Sequence, residues 1–267
     1  MTFLSTLAGK VELAKEANAA DTPTGEPIEE LSRRARTLAR KLRKAYPDAK
    51  CALDHKNALQ LLIATILSAQ CTDARVNKVT PALFARYPEA KDFAASDRVE
   101  LEELVRTTGF YRNKSKSIHG AALTITETFG GEVPKTMEEL LTLPGVARKT
   151  ANVVLGTAFR IASGFVVDTH VFRLSHRMGL AEAKTPEQVE KKLMDLIPKK
   201  DWIDLAHILI HHGRAICAAR SPKCDDCMVE ADCPKIGVDL LDVKPAPRDV
   251  ADRGRPMKKR IAMAKKK

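Results

Sequence analysis

The sequence lacks long apolar runs, sustained period-two alternation and any visible internal repeat. No apolar run approaches the roughly 18–20 residues that a membrane-spanning helix requires. The opening stretch "MTFLSTLAGK" also lacks the basic segment with which a secretory signal begins. The missing alternation argues against half-buried strands. These absences indicate a cytoplasmic chain with no membrane anchor and little or no β-sheet.

The remaining composition is typical of a globular protein. The 267 residues are enough for one large or two modest domains. Hydrophobic residues make up 44% and charged residues 30% of the chain, which is ordinary for a globular protein. Apolar residues recur at helical spacing, so we predict an all-α fold of about ten helices. Asp73 and Ser96 are expected to cap the helices that follow them. The clearest predicted helices cover residues 27–46, 57–70, 113–129 and 185–197, and a further one holds Lys149 and ends near residue 159.

The positive charge is concentrated at the C-terminus. The chain has a formal net charge of +11. Ten Lys and Arg against two Asp between Lys244 and Lys267 contribute +8, which leaves only +3 for the rest. We interpret the segment 237–267 as a basic, disordered tail that strengthens binding to phosphate backbones by counterion release. The remainder does not indicate nucleic-acid binding by its net charge alone.

Four of the six cysteines lie within 17 residues, in the spacing C-x6-C-x2-C-x5-C. In a cytoplasmic protein such a group indicates a metal site rather than disulfides. Structural zinc and a [4Fe–4S] cluster both accept four thiolates. A single C-x2-C pair with two isolated outer cysteines favours iron–sulfur over a zinc ribbon, although zinc stays open at this point. The four candidate ligands are Cys217, Cys224, Cys227 and Cys233.

The stretch "LPGVARKTANVV" (143–154) reads as a Pro-Gly turn that runs into a helix. The first backbone N–H groups of a helix have no partner within it and bind anions such as a DNA phosphate. The alternative is that this helix–turn–helix segment only packs in the core and binds no anion. Arg148 and Lys149 place two cations where the helix dipole disfavours positive charge. A lysine amine that is destabilised as an ammonium is a nucleophile able to form a Schiff base; a simple phosphate contact is the other interpretation of Lys149.

These features together resemble the bacterial endonuclease III family, bifunctional DNA glycosylases of the helix–hairpin–helix superfamily. The resemblance covers roughly residues 28–236 and rests on "LLIATILSAQCTDARVNKVTPALF", "GFYRNKSKSI", "LPGVARKTANVVLGTAF…VVDTH" and the cysteine spacing. It implies that the four cysteines hold one [4Fe–4S] cluster per chain. It also implies that Lys149 is the catalytic lysine and Asp168 the catalytic aspartate, in a base-excision repair enzyme that removes oxidised pyrimidines and then cleaves the strand by β-elimination.

The resemblance further implies a set of DNA-binding residues. Gln70 would fill the gap left by a flipped nucleotide and Phe110 would act as a wedge. Phe110 departs from the usual leucine, and a buried aromatic is the alternative. Ala147 stands where relatives keep a glycine, and we expect it to be the first helical residue, without a positive φ. Lys114 is expected either to contact a phosphate or to lie on a solvated face. The remaining predicted DNA-binding residues are Leu143, Gly145, Arg148 and His170.

The predicted organisation has two helical domains. A six-helix barrel with the hairpin is expected over 58–163, and an iron–sulfur domain over 28–57 plus 164–236, with an N-terminal extension at 1–27. The expected partner is damaged double-stranded DNA, bound by a monomer at the nucleoid. An adenine-type mismatch glycosylase is one alternative, but it would carry a glutamate in its first core helix and no lysine at position 149, and residues 57–72 contain no Glu. A non-catalytic DNA-binding hairpin module is the other.

Overall fold

The computed structural model of the protein describes residues 22–238, and within that range it contains helices and no strand. The prediction of an all-α fold is therefore confirmed. The predicted extension up to residue 21 and the predicted tail from residue 239 lie outside the described residues. The eleven α-helices of the described residues are α1 (Ile28–Ala45), α2 (Ala58–Leu67), α3 (Asp73–Arg86), α4 (Ala90–Ala94), α5 (Arg98–Val105), α6 (Tyr111–Thr128), α7 (Met137–Leu141), α8 (Arg148–Phe159), α9 (Thr169–Arg177), α10 (Pro186–Leu196) and α11 (Trp202–Ala215).

The chain divides into two compact units. One consists of Cys51–Gly164 and contains α2 to α8; we call it the hairpin unit. The other takes in the described residues up to Lys50 and those from Phe165 onward, and contains α1 and α9 to α11; we call it the cysteine unit. None of the helices in residues 22–238 is long and apolar enough to cross a membrane.

The hairpin unit is built around α2. Every residue from Leu61 to Leu67 is buried, because this helix is apolar on all sides and can be satisfied only inside a core. Helix α8 packs against it and buries Ala151, Val154 and Leu155 completely. The first turn of α8 is therefore held on a rigid base.

In the cysteine unit α1 and α9 both pack against α11. Leu31, Ala35, Leu38 and Leu42 of α1 are buried and recur every three to four residues, so one stripe of the helix faces the core. The basic residues occupy the remaining faces of α1. The unit also contains the only tryptophan of the sequence, Trp202, which is buried.

Two predicted helix caps are each wrong by one residue. Helix α5 is capped by Asp97, whose Oδ1 accepts a 2.9 Å hydrogen bond from the amide of Glu100, while the Ser96 hydroxyl donates to the Phe93 carbonyl instead. Helix α3 is capped by Thr72, not by Asp73. In both places two adjacent residues are good caps, and spacing alone does not decide between them.

The packing of α2 predicts a large effect of Leu62→Ala. Leu62 is fully buried, so its truncation should lower the free energy of unfolding by about 2–5 kcal/mol through lost burial and a cavity. Leu123→Ala, at a position that is 38% exposed, is the matched control and should have a much smaller effect. Urea unfolding followed by far-ultraviolet circular dichroism measures both. Equal losses at the two positions would contradict the central place of α2.

Candidate nucleic-acid interface and cysteine site

The predicted hairpin joins α7 to α8 through a tight turn. The amide of Val146 donates to the Leu143 carbonyl at 3.1 Å, and Gly145 has φ +79°. A Cβ at Gly145 would lie 2.5 Å from Cβ of Ser117 on α6, so both the backbone conformation and the close approach require glycine. The turn is thereby pressed against α6 in one conformation.

Leu143 needs a correction. Its side chain is buried at 2% exposure, its carbonyl accepts from Val146 and its amide donates to Leu140. These interactions leave neither the side chain nor the backbone groups of Leu143 facing solvent. We therefore assign Leu143 to core packing rather than to DNA contact.

The N-terminus of α8 has no side-chain cap. Ala147 is the N-cap residue, with φ −100° and ψ 171°, so it lies one position before the helix rather than at its first residue. Its negative φ explains why alanine is tolerated there without strain. Because the alanine side chain carries no acceptor, the N-cap residue does not itself cap the first turn of α8, and a helix N-terminus of this kind favours a nearby anion. Arg148 and Lys149 follow, and both are exposed.

Asp168 caps α9 in the cysteine unit. Its Oδ1 accepts hydrogen bonds of 2.8 Å from the amides of both His170 and Val171. The extended residues before it, Phe165 to Val167, are buried and hold the cap in place. Both bonds end on Oδ1, so the cap does not use Oδ2, and the half-buried carboxylate is rigidly oriented.

His170, the second residue of α9, is half-buried. Its Nδ1 lies 3.2 Å from a guanidinium nitrogen of Arg173. Burial lowers the pKa of His170. The predicted DNA contact of His170 would therefore come from an imidazole that already contacts Arg173.

Gln70 and Phe110 lie in turns and are both exposed. Each has a positive φ, 52° for Gln70 and 49° for Phe110, although neither is glycine. Phe110 is 62% exposed, so the alternative that it is a buried aromatic is wrong. Its ring is available for insertion into a base step, as the wedge prediction requires.

Lys114 also needs a correction. It is only 4% exposed, and its Nζ donates to the carbonyl of Thr108 at 2.7 Å. Neither the phosphate contact nor the solvated face expected from the sequence fits this position. The ammonium group is part of the interior of the hairpin unit, where burial lowers its pKa.

The four clustered cysteines line one cavity of about 350 Å³, part of which is open to solvent. Burial raises the pKa of Cys224, Cys227 and Cys233, that of Cys227 to about 11, and the neighbouring thiols raise these values further. Bringing these groups together as thiolates is therefore unfavourable unless a cationic centre offsets their charge. The residues fit a metal centre with sulfur ligands. Within residues 22–238 no three His, Cys, Asp or Glu side chains converge closely enough for a single metal ion.

Sequence reasoning missed two residues that line this cavity, His212 and Arg177, and Tyr46, which contacts His212. His212 is fully buried, with Nε2 3.6 Å from Sγ of Cys227 and Nδ1 3.0 Å from the hydroxyl of Tyr46. Arg177 donates to Sγ of Cys217 at 3.4 Å and to the Ala219 carbonyl at 2.8 Å. The only available signal was that His212 stands five residues before Cys217; Tyr46 and Arg177 are distant in sequence.

A family model described as HhH-GPD superfamily base excision DNA repair protein matches residues 63–199, just over half of the chain. This range includes the hairpin, Lys149 and Asp168. The chain therefore belongs to the HhH-GPD superfamily of base excision DNA repair proteins.

Comparison with individual proteins assigns the chain to one family within this superfamily. The endonuclease III of Synechocystis sp. is 61% identical over 193 residues, which are 72% of this chain and 88% of the relative. That of Bacillus subtilis is 47% identical over 68% of this chain and 83% of the relative. A solved structure of a trapped endonuclease III–DNA covalent intermediate matches with a TM-score of 0.73 and 43% identity, covering 76% of this chain and 96% of that one. Within the superfamily the chain is a member of the endonuclease III family, as its resemblance indicated.

The capping geometry of Asp168 allows its structural role to be isolated. Asp168→Asn keeps an oxygen for the amides of His170 and Val171, so the free energy of unfolding should change little. Asp168→Ala removes the cap and should cost about 1 kcal/mol. Urea unfolding followed by the fluorescence of Trp202, which lies in the same unit, measures both. If alanine were as stable as asparagine, the cap would not stabilise α9.

Proposed function

We propose that this protein excises oxidised or ring-damaged pyrimidines from double-stranded DNA and then cleaves the strand through a Schiff base on Lys149. The observation that carries the proposal is an exposed lysine in the first turn of α8, beside a helix N-terminus that has no side-chain cap. The N-terminus of α8 suits a phosphate because the helix dipole places partial positive charge there, and Lys149 in the same turn suits the sugar of the same nucleotide. The structure of a covalent endonuclease III–DNA intermediate supports a nucleophile of this kind in the family.

The chemistry needs a nucleophile and a carboxylate. Asp168 takes the proton from the Lys149 ammonium, and the amine then forms a bond to C1′ while the C1′–N bond breaks with its electron pair on the departing base. The carboxylate also stabilises the positive charge that develops on the sugar. The orientation that the α9 cap imposes on Asp168 serves both roles.

Strand cleavage follows from the covalent intermediate. The C1′–O4′ bond of the sugar ring then breaks with its electron pair on O4′, which takes one of the two protons on the attached nitrogen. The product is a protonated imine, which acidifies the proton on C2′. Loss of that proton forms a C1′-conjugated double bond as the C3′–O bond breaks, with its electron pair leaving on the 3′ phosphate. Hydrolysis of the imine returns Lys149. Each step uses only the enzyme, DNA and water.

The target base must leave the duplex before Lys149 can reach its sugar. We assign this step to Phe110 as the inserted wedge and to Gln70 as the residue that fills the vacated position. Both are exposed on turns of the hairpin unit. Gly145, Ala147 and Arg148 hold the neighbouring phosphate through the hairpin, and His170 contributes beside Asp168.

We also propose that Cys217, Cys224, Cys227 and Cys233 hold one [4Fe–4S] cluster. The sulfur-only donor set, the shared cavity and the raised thiol pKa values support it, and a cubane does not need its ligands to converge on one ion. When bound, the cluster would supply structural cross-linking of residues 217–233. The loop residues Arg220 and Lys223 would thereby be held in place to contact DNA.

The alternatives are less compatible with the chain. Helix α2 carries no carboxylate, whereas the adenine-type enzymes are expected to have a glutamate there and no lysine at position 149. A DNA-binding module that catalyses no reaction would not require both Lys149 and the carboxylate of Asp168, which the α9 cap orients. We expect a monomer that acts on damaged duplex DNA at the nucleoid.

Borohydride trapping tests the nucleophile. On duplex DNA containing thymine glycol, the wild-type protein should become covalently linked to DNA when the imine is reduced, and Lys149→Ala should abolish the link because no other amine replaces it. Lys192→Ala, an exposed lysine of α10, is the control and should trap like the wild type. Gel electrophoresis under denaturing conditions reads the result. Trapping by Lys149→Ala at the wild-type rate would overturn the assignment.

The cluster proposal predicts a coloured protein that loses iron when a ligand is removed. Cys227→Ser should lower the iron and sulfide content and the visible absorption, because a serine oxygen is a poor ligand for an iron–sulfur centre. Cys51→Ser, in the other unit, should leave all three unchanged. Elemental analysis and absorption spectra of protein purified without oxygen measure them. A colourless protein that contains zinc would refute the proposal.

A further inference from the structure

The turn that presents Phe110 adopts an unfavourable backbone conformation. Phe110 has φ 49° and ψ 28°, in the left-handed region that costs a bulky side chain about 1–2 kcal/mol. Gly109 before it has φ 71°. A conformation of this kind persists only where surrounding interactions determine it. Phe110 is 62% exposed, so packing of its own ring contributes little to holding this conformation.

Lys114 supplies those interactions from one turn into α6. Its Nζ donates to the Thr108 carbonyl at 2.7 Å, and its backbone amide donates to the Phe110 carbonyl at 3.0 Å. The Phe110 carbonyl also accepts from the amide of Asn113 at 3.0 Å, so the contribution specific to the lysine side chain is its bond to Thr108, the residue before Gly109. Thr108 is itself anchored, because it is buried and its hydroxyl donates to the Val105 carbonyl at 2.7 Å.

Burial of the Lys114 ammonium group is energetically unfavourable, and a residue that served only to fill space would not require it. Buried lysines are rare and usually paired with a carboxylate. Within the part of the chain that the structure describes, Lys114 forms no ion pair, and its side chain is hydrogen-bonded only to the Thr108 carbonyl. A methionine of similar length would fill the same space without the penalty of burying an ammonium group.

The surroundings of Lys114 extend to the second exposed turn. The thiol of Cys71 is near enough that its ionised form would raise the pKa of Lys114, against the larger effect of burial. Cys71 directly follows Gln70, which has a positive φ of 52°. The Lys114 side chain therefore contacts the Phe110 turn through Thr108, with the Cys71 thiol in its electrostatic surroundings.

We infer that Lys114 is a positioning residue that holds the Thr108–Phe110 turn in the shape needed for Phe110 to enter the duplex. This inference rests on the proposed function, since it assumes that Phe110 is a wedge. It assigns to Lys114 an effect on base flipping and none on the Schiff-base chemistry, because its ammonium contacts a turn and not the sugar.

The test compares Lys114→Met with Lys116→Met, an exposed lysine on the same helix, so that both variants lose one positive charge. Lys114→Met should slow single-turnover excision from duplex DNA by about tenfold, the effect of losing one hydrogen bond to a charged donor. It should also weaken the fluorescence increase of 2-aminopurine placed next to the lesion, which reports unstacking. Trapping on a single-stranded abasic oligonucleotide should stay within about twofold of wild type, because no base step must be opened. Lys116→Met should match the wild type in all three measurements.

A double-mutant cycle with Phe110→Ala separates positioning from general destabilisation. If Lys114 acts through Phe110, Lys114→Met should add no further slowing to Phe110→Ala. Full tenfold slowing in the Phe110→Ala background would overturn the inference, as would wild-type duplex excision by Lys114→Met. Lys114→Gln, which keeps an N–H donor and is smaller than lysine, should recover part of the duplex rate and serves if the methionine variant fails to fold. Absence of trapping by the wild-type protein would instead reject the proposed function.

Discussion

The uncapped N-terminus of α8 is the feature on which the rest of the hairpin unit depends. The first amides of a helix need partners from outside the helix backbone, and here the N-cap residue, Ala147, has no side chain that could cap them. The N-terminus of α8 is held in place by the rest of the helix, because Ala151, Val154 and Leu155 are fully buried against the core. It is also held from the side, where Gly145 approaches Ser117 too closely for any larger residue. An anion site of this kind is useful only if it is rigid, and these contacts make it so.

Structural and chemical roles coincide at several residues of this protein. Asp168 ends an extended segment and caps α9 through one oxygen, which orients the carboxylate that the proposed chemistry requires. The half-buried thiols of the cysteine site line one cavity, and their ionisation together is unfavourable unless a cationic centre offsets the charge. Nε2 of His212 lies 3.6 Å from Sγ of Cys227, and Arg177 donates to Sγ of Cys217. Specific side-chain contacts therefore surround the proposed cluster ligands. Backbone strain at Phe110 follows the same pattern, because it is retained where an apolar side chain must project from the surface.

Periodicity was sufficient to predict the all-α fold, the central burial of α2 and the helix that carries Lys149, because each depends on local spacing of apolar residues. Helix caps were wrong by one residue at Ser96 and Asp73, where two neighbouring residues could each serve. Leu143 and Lys114 were assigned to DNA from their sequence context, but their burial is set by tertiary packing that spacing does not reveal. Tyr46 and His212 meet across 166 positions of sequence, and no local pattern indicates such a contact. The roles of Lys149, Asp168 and Gln70 remain predictions supported by geometry within each unit.

The central claim is that the ε-amine of Lys149 is the atom that bonds to the sugar. Peptide mapping by mass spectrometry of the borohydride-reduced complex tests it most directly, because the position of the adduct identifies the nucleophile without relying on the loss of activity in a variant. We expect a sugar adduct on the peptide that contains Lys149, with fragment ions that locate it on that side chain. An adduct on another lysine or on the N-terminal amine, with Lys149 unmodified, would contradict it.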